Sequence, residues 1–351
     1  MMFFDRNKPF ASSIDDADSQ FANSITIGIP TFNGEKFLEE AVKSVYYQTV
    51  KVNNIIIVDD CSTDQTIKKI DELEKKYPSL TIKLFINKVN EGYQKNWNKC
   101  FKYCQTKYLL ILHQDDILKD NAIEKLGNFF NRNNEFALIG GREEIIDNKK
   151  KVIRKYNNRK DLVFTKGEIY EFISTNGTYI PCSTVMFDMD KIIEVGYFET
   201  NILATDELFW PKILHKYPIA ILGESIIFRR KHPAQAEWSD FNNKPKEIVS
   251  AHKHFLKLEN YENRIEYKKK IRKLINNRFS KNLLGISASV IRYYGNDKLA
   301  VWYLKQALKL DTVLPLKTNL FWKVLLIIIL DKLGLFNLLR RYKQYIQTFY
   351  R

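Results

Sequence analysis

The sequence predicts an α/β fold built on a mostly parallel, doubly wound sheet, followed by a helical, basic C-terminal region. Three observations carry this prediction. Between residues 24 and 112, runs rich in β-branched residues alternate with amphipathic helical stretches. Three of those runs end in polar or acidic clusters. Charge is also divided unevenly: residues 241–351 hold 23 Lys and Arg against 7 Asp and Glu, whereas residues 1–240 hold 33 against 34.

Ser24–Pro30 reads as the first strand, because its β-branched run stops at a proline. A turn, Thr31–Gly34, leads into a helix over about Glu35 to Gln48, with Phe37, Leu38, Ala41, Val42 and Val45 on one face. Asn54–Val58 is continuously apolar after Asn54, as a strand buried on both faces should be. It ends in Asp59-Asp60-Cys61-Ser62-Thr63-Asp64, where Ser62 or Thr63 is expected to cap a helix reaching about Tyr77. A strand over Thr81–Ile86, a turn over Asn87–Gly92, a helix over about Gln94 to Thr106 and a strand over Tyr108–Leu112 complete the series. In parallel sheets ligands bind at the carboxyl ends of the strands. Pro30–Asn33, Asp59–Asp60 and Asp115–Asp116 all fall there, so three clusters distant in sequence should share one edge. From residue 117 to 240 the pattern mixes a helix over Ala122–Asn131 with strand-like runs over Phe136–Gly140, Thr184–Phe187 and Ala220–Phe228.

The expected organisation is a polar leader over 1–23, a catalytic domain over 24–240 with halves meeting near residue 118, and a helical basic region over 241–351. With 351 residues, 45% hydrophobic and 28% charged, the chain is long enough for a sizeable core. The leader has no apolar stretch of the kind a signal peptide needs. Four cysteines, Cys61, Cys100, Cys104 and Cys182, make neither a zinc pattern nor a disulfide framework, which suits a cytoplasmic protein. The basic third calls for an anionic partner or is a solvated helical surface. It carries no recognisable nucleic-acid motif and is interleaved with apolar stretches, so no nucleic-acid partner is expected. A nucleotidyltransferase is disfavoured because no Gly-rich phosphate loop follows the first strand.

Asp115 and Asp116 directly follow an apolar run. Adjacent carboxylates repel unless a cation lies beside them, and oxygen donors suit Mg2+ or Mn2+. The same pair could instead complete a helix dipole. Asp59 and Asp60 are placed to accept hydrogen bonds from a base or ribose, or to serve turn chemistry alone.

Ile29-Pro30-Thr31-Phe32-Asn33-Gly34, Val58–Asp64 and Gln114-Asp115-Asp116, in this order and spacing, resemble glycosyltransferase family 2 of the bacterial cell-surface polysaccharide type. Asn90-Glu91-Gly92 with Asn96-Trp97-Asn98 adds to the likeness, which covers about residues 25–238. The resemblance implies a GT-A fold, a Rossmann-like sheet flanked by helices. It implies a nucleotide-sugar donor, with a UDP-sugar favoured. Pro30, Thr31, Phe32 and Asn33 would bind donor, with Pro30 and Phe32 lining the base and ribose pocket. Asp60 would meet the base, Asp115 the sugar and ribose, and Asp116 a divalent cation. Many relatives carry an Asp two positions before Asp115; here His113 stands there, and it is assigned no ligand role.

Gly196-Tyr197-Phe198-Glu199 and Thr205-Asp206-Glu207 resemble the family's segment that supplies the catalytic base. Thr205 replaces the usual Glu, Asp206 takes the base position, and Glu207 is the alternate; a plain helix cap is the competing reading. Arg229-Arg230-Lys231-His232-Pro233 resembles the segment that closes over the diphosphate, with Arg230 and Lys231 offsetting phosphate charge and His232 ligating metal or phosphate. An exposed basic turn is the alternative. Tyr179–Thr184 should line the acceptor side. The implied activity is an inverting hexosyl transfer to a glycan or lipid-linked acceptor, and the alternative is a non-catalytic nucleotide-sugar-binding scaffold of the same fold. Leu320–Leu330 is apolar except for Lys323 and too short to span a bilayer. With the basic, aromatic stretch from Leu335 to Ile346 it predicts peripheral contact of residues 315–351 with anionic membrane on the inner face, or packing on protein.

Overall fold

The first β-branched run becomes β1 (Ile25–Thr31), buried along its whole length. A computed structural model describes residues 21–155, 159–176, 180–232, 243–294, 296–311, 313–333 and 335. Within it the chain divides into two compact units, the first running to Phe172 and resuming over Thr178–His232, the second formed by Ile173–Gly177 and the chain from Pro233 onward.

In the first unit, α1 (Leu38–Tyr46) buries Leu38, Ala41, Val42 and Val45, the face read from its periodicity. Strand β2 (Asn54–Asp59) pairs in parallel with β1, and β3 (Thr81–Ile86) pairs in parallel with β2. Between them lies α2 (Thr66–Lys76), which starts later than expected. Ser62 and Thr63 do not cap it: Ser62 donates to Asp59 and Thr63 N donates to Asn33 Oδ1 at 2.8 Å. Asp64 Oδ1 instead accepts from Thr66 N at 3.0 Å. Helix α3 (Tyr93–Tyr103) precedes β4 (Tyr108–Ile111), which pairs in parallel on the other side of β1. Strand β1 is central and α3 packs close to it, so a Cβ at Gly28 would lie 2.9 Å from Cys100 Cβ.

Beyond β4 the pairing becomes mixed. The short β5 (Ile117–Leu118) and α4 (Ala122–Arg132) lead to β6 (Leu138–Ile146), with β7 (Val152–Arg154) antiparallel to it. After β8 (Leu162–Phe164) and α5 (Ile169–Asn176), β9 (Met186–Asp188) wedges antiparallel between β4 and β6. Then α6 (Met189–Val195) and α7 (Thr205–Lys216) precede β10 (Ile219–Arg230), parallel to β6 and antiparallel to β5 and β8. The sheet order is β3-β2-β1-β4-β9-β6-β10-β5. Its core is aliphatic and aromatic, with Ile25, Ile27, Ile29, Leu110 and Phe130 buried. Buried Gln48 ties the layers together: its amide donates to Lys119 O at 2.7 Å and accepts from Ile123 N at 3.0 Å.

The second unit is helical, as the sequence predicts: α8 (Pro245–Leu256), α9 (Ile265–Tyr294), α10 (Asp297–Leu310), α11 (Val313–Leu316) and α12 (Asn319–Lys332). Small residues let α9 and α10 approach closely. Ser280 Oγ donates to Ala307 O at 3.0 Å and Ser287 Oγ to Ala300 O at 2.7 Å. Among the described residues, no helix is long and apolar enough to cross a membrane.

Candidate active site

The carboxyl ends of β1, β2 and β4 bring the predicted clusters to one edge, because parallel pairing aligns Thr31 with Asp59 and Gly28 with Ile111. Pro30 and Thr31 are buried within β1, while Phe32 is exposed at 43% and Asn33 is exposed beside it. Asn33 takes φ +49°, a left-handed conformation that Asn tolerates well. Its N–H donates to Ser62 Oγ at 2.8 Å, so Asn33 joins the β1 and β2 loops.

Asp59 and Asp60 have separate tasks. Asp59 is fully buried and accepts from Ser62 N at 2.8 Å, which is turn chemistry. Asp60 is also buried, and it accepts from Asn87 Nδ2 at 2.7 Å, Glu91 N at 2.8 Å and Gly92 N at 2.9 Å. A carboxylate offers about four acceptor positions, so roughly one remains for a ligand. Asn96, on α3, donates to Val58 O at 2.8 Å and Thr31 O at 3.3 Å and so stitches the ends of β1 and β2.

Gln114 is a connector that sequence reading passed over. Its amide accepts from Phe32 N at 2.9 Å, donates to Phe32 O at 3.0 Å and accepts from the Thr31 hydroxyl. The loop after β1 is thereby tied to the Asp115–Asp116 loop. A Cβ on Gly34 would fall 2.4 Å from Gln114 Oε1, so glycine is what leaves room for this link.

Asp115 and Asp116 differ sharply. Asp116 is 1% exposed; Oδ1 accepts from Arg230 N at 3.0 Å and Oδ2 from Ser183 Oγ at 2.6 Å. Burial first, and then the negative charge of Asp115, push its carboxyl well above the usual range. Asp115 is the more accessible of the two, and its Oδ2 lies 2.9 Å from His232 Nε2. Burial opposes ionisation of Asp115 as well, yet the His232 hydrogen bond and the His113 and His232 imidazoles hold its pKa below the usual value. His113, Asp115 and Asp116 present ligand atoms that all lie within 4.8 Å of one another. Burial lowers the His113 pKa, Asp115 opposes this, and Arg229 adds to the lowering.

The Arg229–His232 segment needs one correction. Arg230 was expected to face phosphate, but its side chain is fully buried. Its guanidinium donates to Glu40 Oε2 at 2.7 Å, Asp115 O at 3.1 Å and Asp147 O at 3.3 Å, and it lies over the Phe37 ring. These contacts point it beneath the acidic loop. Lys231 is exposed, and its N–H donates to Ile146 O at 2.9 Å. His232 packs against Phe37, with ring centroids 4.9 Å apart and planes tilted by 40°.

Asp206 and Glu207 lie in the first turn of α7, where a carboxylate is favoured by the helix dipole. The residue before that turn, Ala204, has φ +56°, an unfavourable conformation for a residue with a Cβ. Thr205 is buried and its hydroxyl donates to Glu199 O at 2.6 Å, fixing the helix start. From α3, Asn98 pairs with Phe198 through both amide atoms, at 2.8 and 3.0 Å. Burial first, then the negative charge of Asp206, with Cys100 and Asp116 adding to it, pushes the buried Cys182 thiol well above its usual range. Tyr179 and the residues after His232 up to Asn242 lie outside the described residues. Of the acceptor-side segment, Cys182, Ser183 and Thr184 are buried.

Residues 26–195 match the family model "Glycosyl transferase family 2". This is a family 2 glycosyltransferase domain. An uncharacterised glycosyltransferase of Rickettsia conorii is 30% identical over 214 residues, 60% of this chain and 34% of that protein. WfgD of Escherichia coli, a UDP-Glc:alpha-D-GlcNAc-diphosphoundecaprenol beta-1,3-glucosyltransferase, is 25% identical over 224 residues, 64% of this chain and 82% of that protein. The chain spans about a third of the length of the first curated relatives it matches. The crystal structure of S. aureus TarS 1–349 in complex with UDP-GlcNAc superimposes with a TM-score of 0.61 at 16% identity, covering 90% of this chain and 88% of that one. That likeness shows the fold: the glycosyltransferase domain is GT-A, with a helical C-terminal extension.

Proposed function

We propose that the protein is a metal-dependent, inverting glycosyltransferase. It transfers a sugar from a nucleoside diphosphate sugar, by preference a UDP-sugar, to a hydroxyl of a glycan or lipid-linked saccharide in surface polysaccharide synthesis. The observation that carries this reading is the gathering of Phe32–Asn33, Asp60 and Asp115–Asp116 at the carboxyl edge of β1, β2 and β4, inside the family domain. The UDP-glucose and diphosphoundecaprenol in the name of WfgD, and the UDP-GlcNAc bound by TarS, support the donor and acceptor classes.

In this reading Pro30, Thr31, Phe32 and Asn33 receive the base and ribose, and Asp60 offers its remaining acceptor position to the base. Asp206 takes the proton of the acceptor hydroxyl as its oxygen bonds to the anomeric carbon and the bond to the diphosphate breaks. Glu207 is the alternate base. Lys231 and His232 face the phosphates, while Arg230 holds the floor of the acidic loop. The donor set fits a divalent cation: two adjacent carboxylates, one buried and forced toward its protonated form, are relieved by positive charge. Mg2+ or Mn2+ held at Asp115 and Asp116, beside His232, would supply charge neutralisation for the departing diphosphate.

Thermal unfolding against a panel of UDP-, GDP- and dTDP-sugars, with and without Mn2+, tests the donor site. A ligand at a hundredfold its Kd stabilises the folded state by about 2.7 kcal/mol, so the UDP-sugars should raise Tm measurably, and more with Mn2+. Equal melting with every donor would remove the reading.

Peripheral membrane contact belongs to the same proposal. Trp322, Leu326 and Ile329 on α12, and Leu333 directly after it, recur at helical spacing and are 55%, 55%, 46% and 64% exposed. In a chain segment with 23 basic and 7 acidic residues, such a face suits an anionic lipid surface at the cytoplasmic side. The basic stretch over 336–351 lies outside the described residues. Co-sedimentation with phosphatidylglycerol vesicles should fall at least tenfold in a Trp322→Glu, Leu326→Glu double variant, since each charge opposes burial by about 2–3 kcal/mol. Unchanged sedimentation of the variant would exclude the contact.

A further inference from the structure

We infer that His113 gives an imidazole nitrogen to the divalent cation of this site, and that the site therefore takes Mn2+ in preference to Mg2+. The inference rests on the metal-dependent reading above and adds to it a ligand and a choice of ion.

The geometry is that of a shared ion. Besides the 4.8 Å clustering with Asp115 and Asp116, His113 Nδ1 lies 3.8 Å from Asp116 Oδ2. That is too long for a hydrogen bond. Donors on one octahedral ion with bonds of about 2.1–2.2 Å stand roughly 3.0 Å apart when adjacent and 4.3 Å when opposite, so small side-chain adjustments suffice. Nδ1, the nitrogen turned toward Asp116, makes no hydrogen bond among the described residues, and Nε2 is buried without one. The ring is also held in place: Trp97 stacks on it with centroids 5.0 Å apart and planes 18° apart, and Trp97 itself packs edge-on against Tyr93 and Phe198.

The choice of ion follows from the donor set. Mg2+ prefers oxygen ligands and retains its waters, whereas nitrogen donors raise affinity along the first-row series that begins with Mn2+. Asp116 is held by Ser183 and the Arg230 amide, and Asp115 by His232, so each carboxylate is aimed before any ion arrives.

The test is binding of Mn2+ and of Mg2+ by the full-length chain, alone and with UDP, followed by Mn2+ electron paramagnetic resonance including 14N modulation. Mn2+ should bind at least about tenfold more tightly than Mg2+, and His113→Ala should weaken Mn2+ binding by about 10–100-fold. The 14N modulation should vanish in His113→Ala and His113→Asp but persist in His232→Ala, which separates the two imidazoles. His113→Asp, an all-oxygen set, should bring the two affinities to within a few-fold and carries the test if His113→Ala does not fold. Modulation that survives both His113 variants, or an unchanged Mn2+ to Mg2+ ratio in them, overturns the inference. UDP binding measured in the same preparations keeps the two questions apart. A chain that binds UDP but shows no His113 effect loses this inference and keeps the glycosyltransferase reading; one that binds neither UDP nor cation loses both.

Discussion

Replacing Asp206 with Asn should reduce sugar transfer by about 10²–10⁴-fold while leaving UDP binding within a factor of two, the range expected when a general base loses only its proton affinity. The substitution preserves shape and leaves the start of α7 in place, because that start is fixed by Thr205 through its hydrogen bond to Glu199 O. Asp206 is half-buried in the first turn of α7, two residues after the left-handed Ala204. The measurement is the initial rate of UDP release in the presence of acceptor, beside calorimetric titration with UDP. Wild-type turnover in Asp206→Asn would move the base to Glu207, and Glu207→Gln would then carry the loss.

Arg230→Met should instead be a stability variant. The guanidinium is fully buried and spans Glu40, the Asp115 carbonyl and the turn at Asp147, while its own amide holds Asp116. Methionine keeps much of the bulk but returns none of those hydrogen bonds. Glu40 is about a third exposed and can turn to water, which lowers the cost below that of a wholly buried pair. A loss of roughly 2–4 kcal/mol is expected, read as a lower urea midpoint at unchanged m-value. Had Arg230 faced the diphosphate, the variant would unfold like wild type and bind UDP weakly. That result would overturn the structural role. Lys231→Met, at the exposed neighbour, should show the converse: unchanged unfolding and weaker nucleotide binding.

Much of the first half of the fold was legible in the sequence. The strands at Ile25–Thr31, Asn54–Asp59 and Thr81–Ile86 fall within a residue or so of where β-branched runs put them. The helix face of Leu38, Ala41, Val42 and Val45 follows from its period alone. Less was legible past β4, because β9 is three residues long and antiparallel between neighbours that come from distant parts of the chain. Helix starts were missed where side chains had rival partners, as at Ser62 and Thr63. In the site, motif order singled out Asp60, Asp115, Asp116 and Asp206, but it gave Gln114 and Asn98 no role and Ser183 only a place on the acceptor side, because their contacts cross tens of residues.

By itself, then, the sequence determined the alternation of strand and helix, the edge at which polar clusters would collect, and the division of charge between a near-neutral first part and a basic helical one. Each of these is a local property, set by hydrophobic period, turn chemistry and composition. Tertiary structure decided which of the clustered side chains face outward. Arg230 reaches Glu40 across 190 residues and its amide reaches Asp116 across 114, so its burial has no local signature. His113 differs: it stands two and three residues from Asp115 and Asp116, so that grouping is local, and what packing added is the Trp97 ring that holds the imidazole beside them.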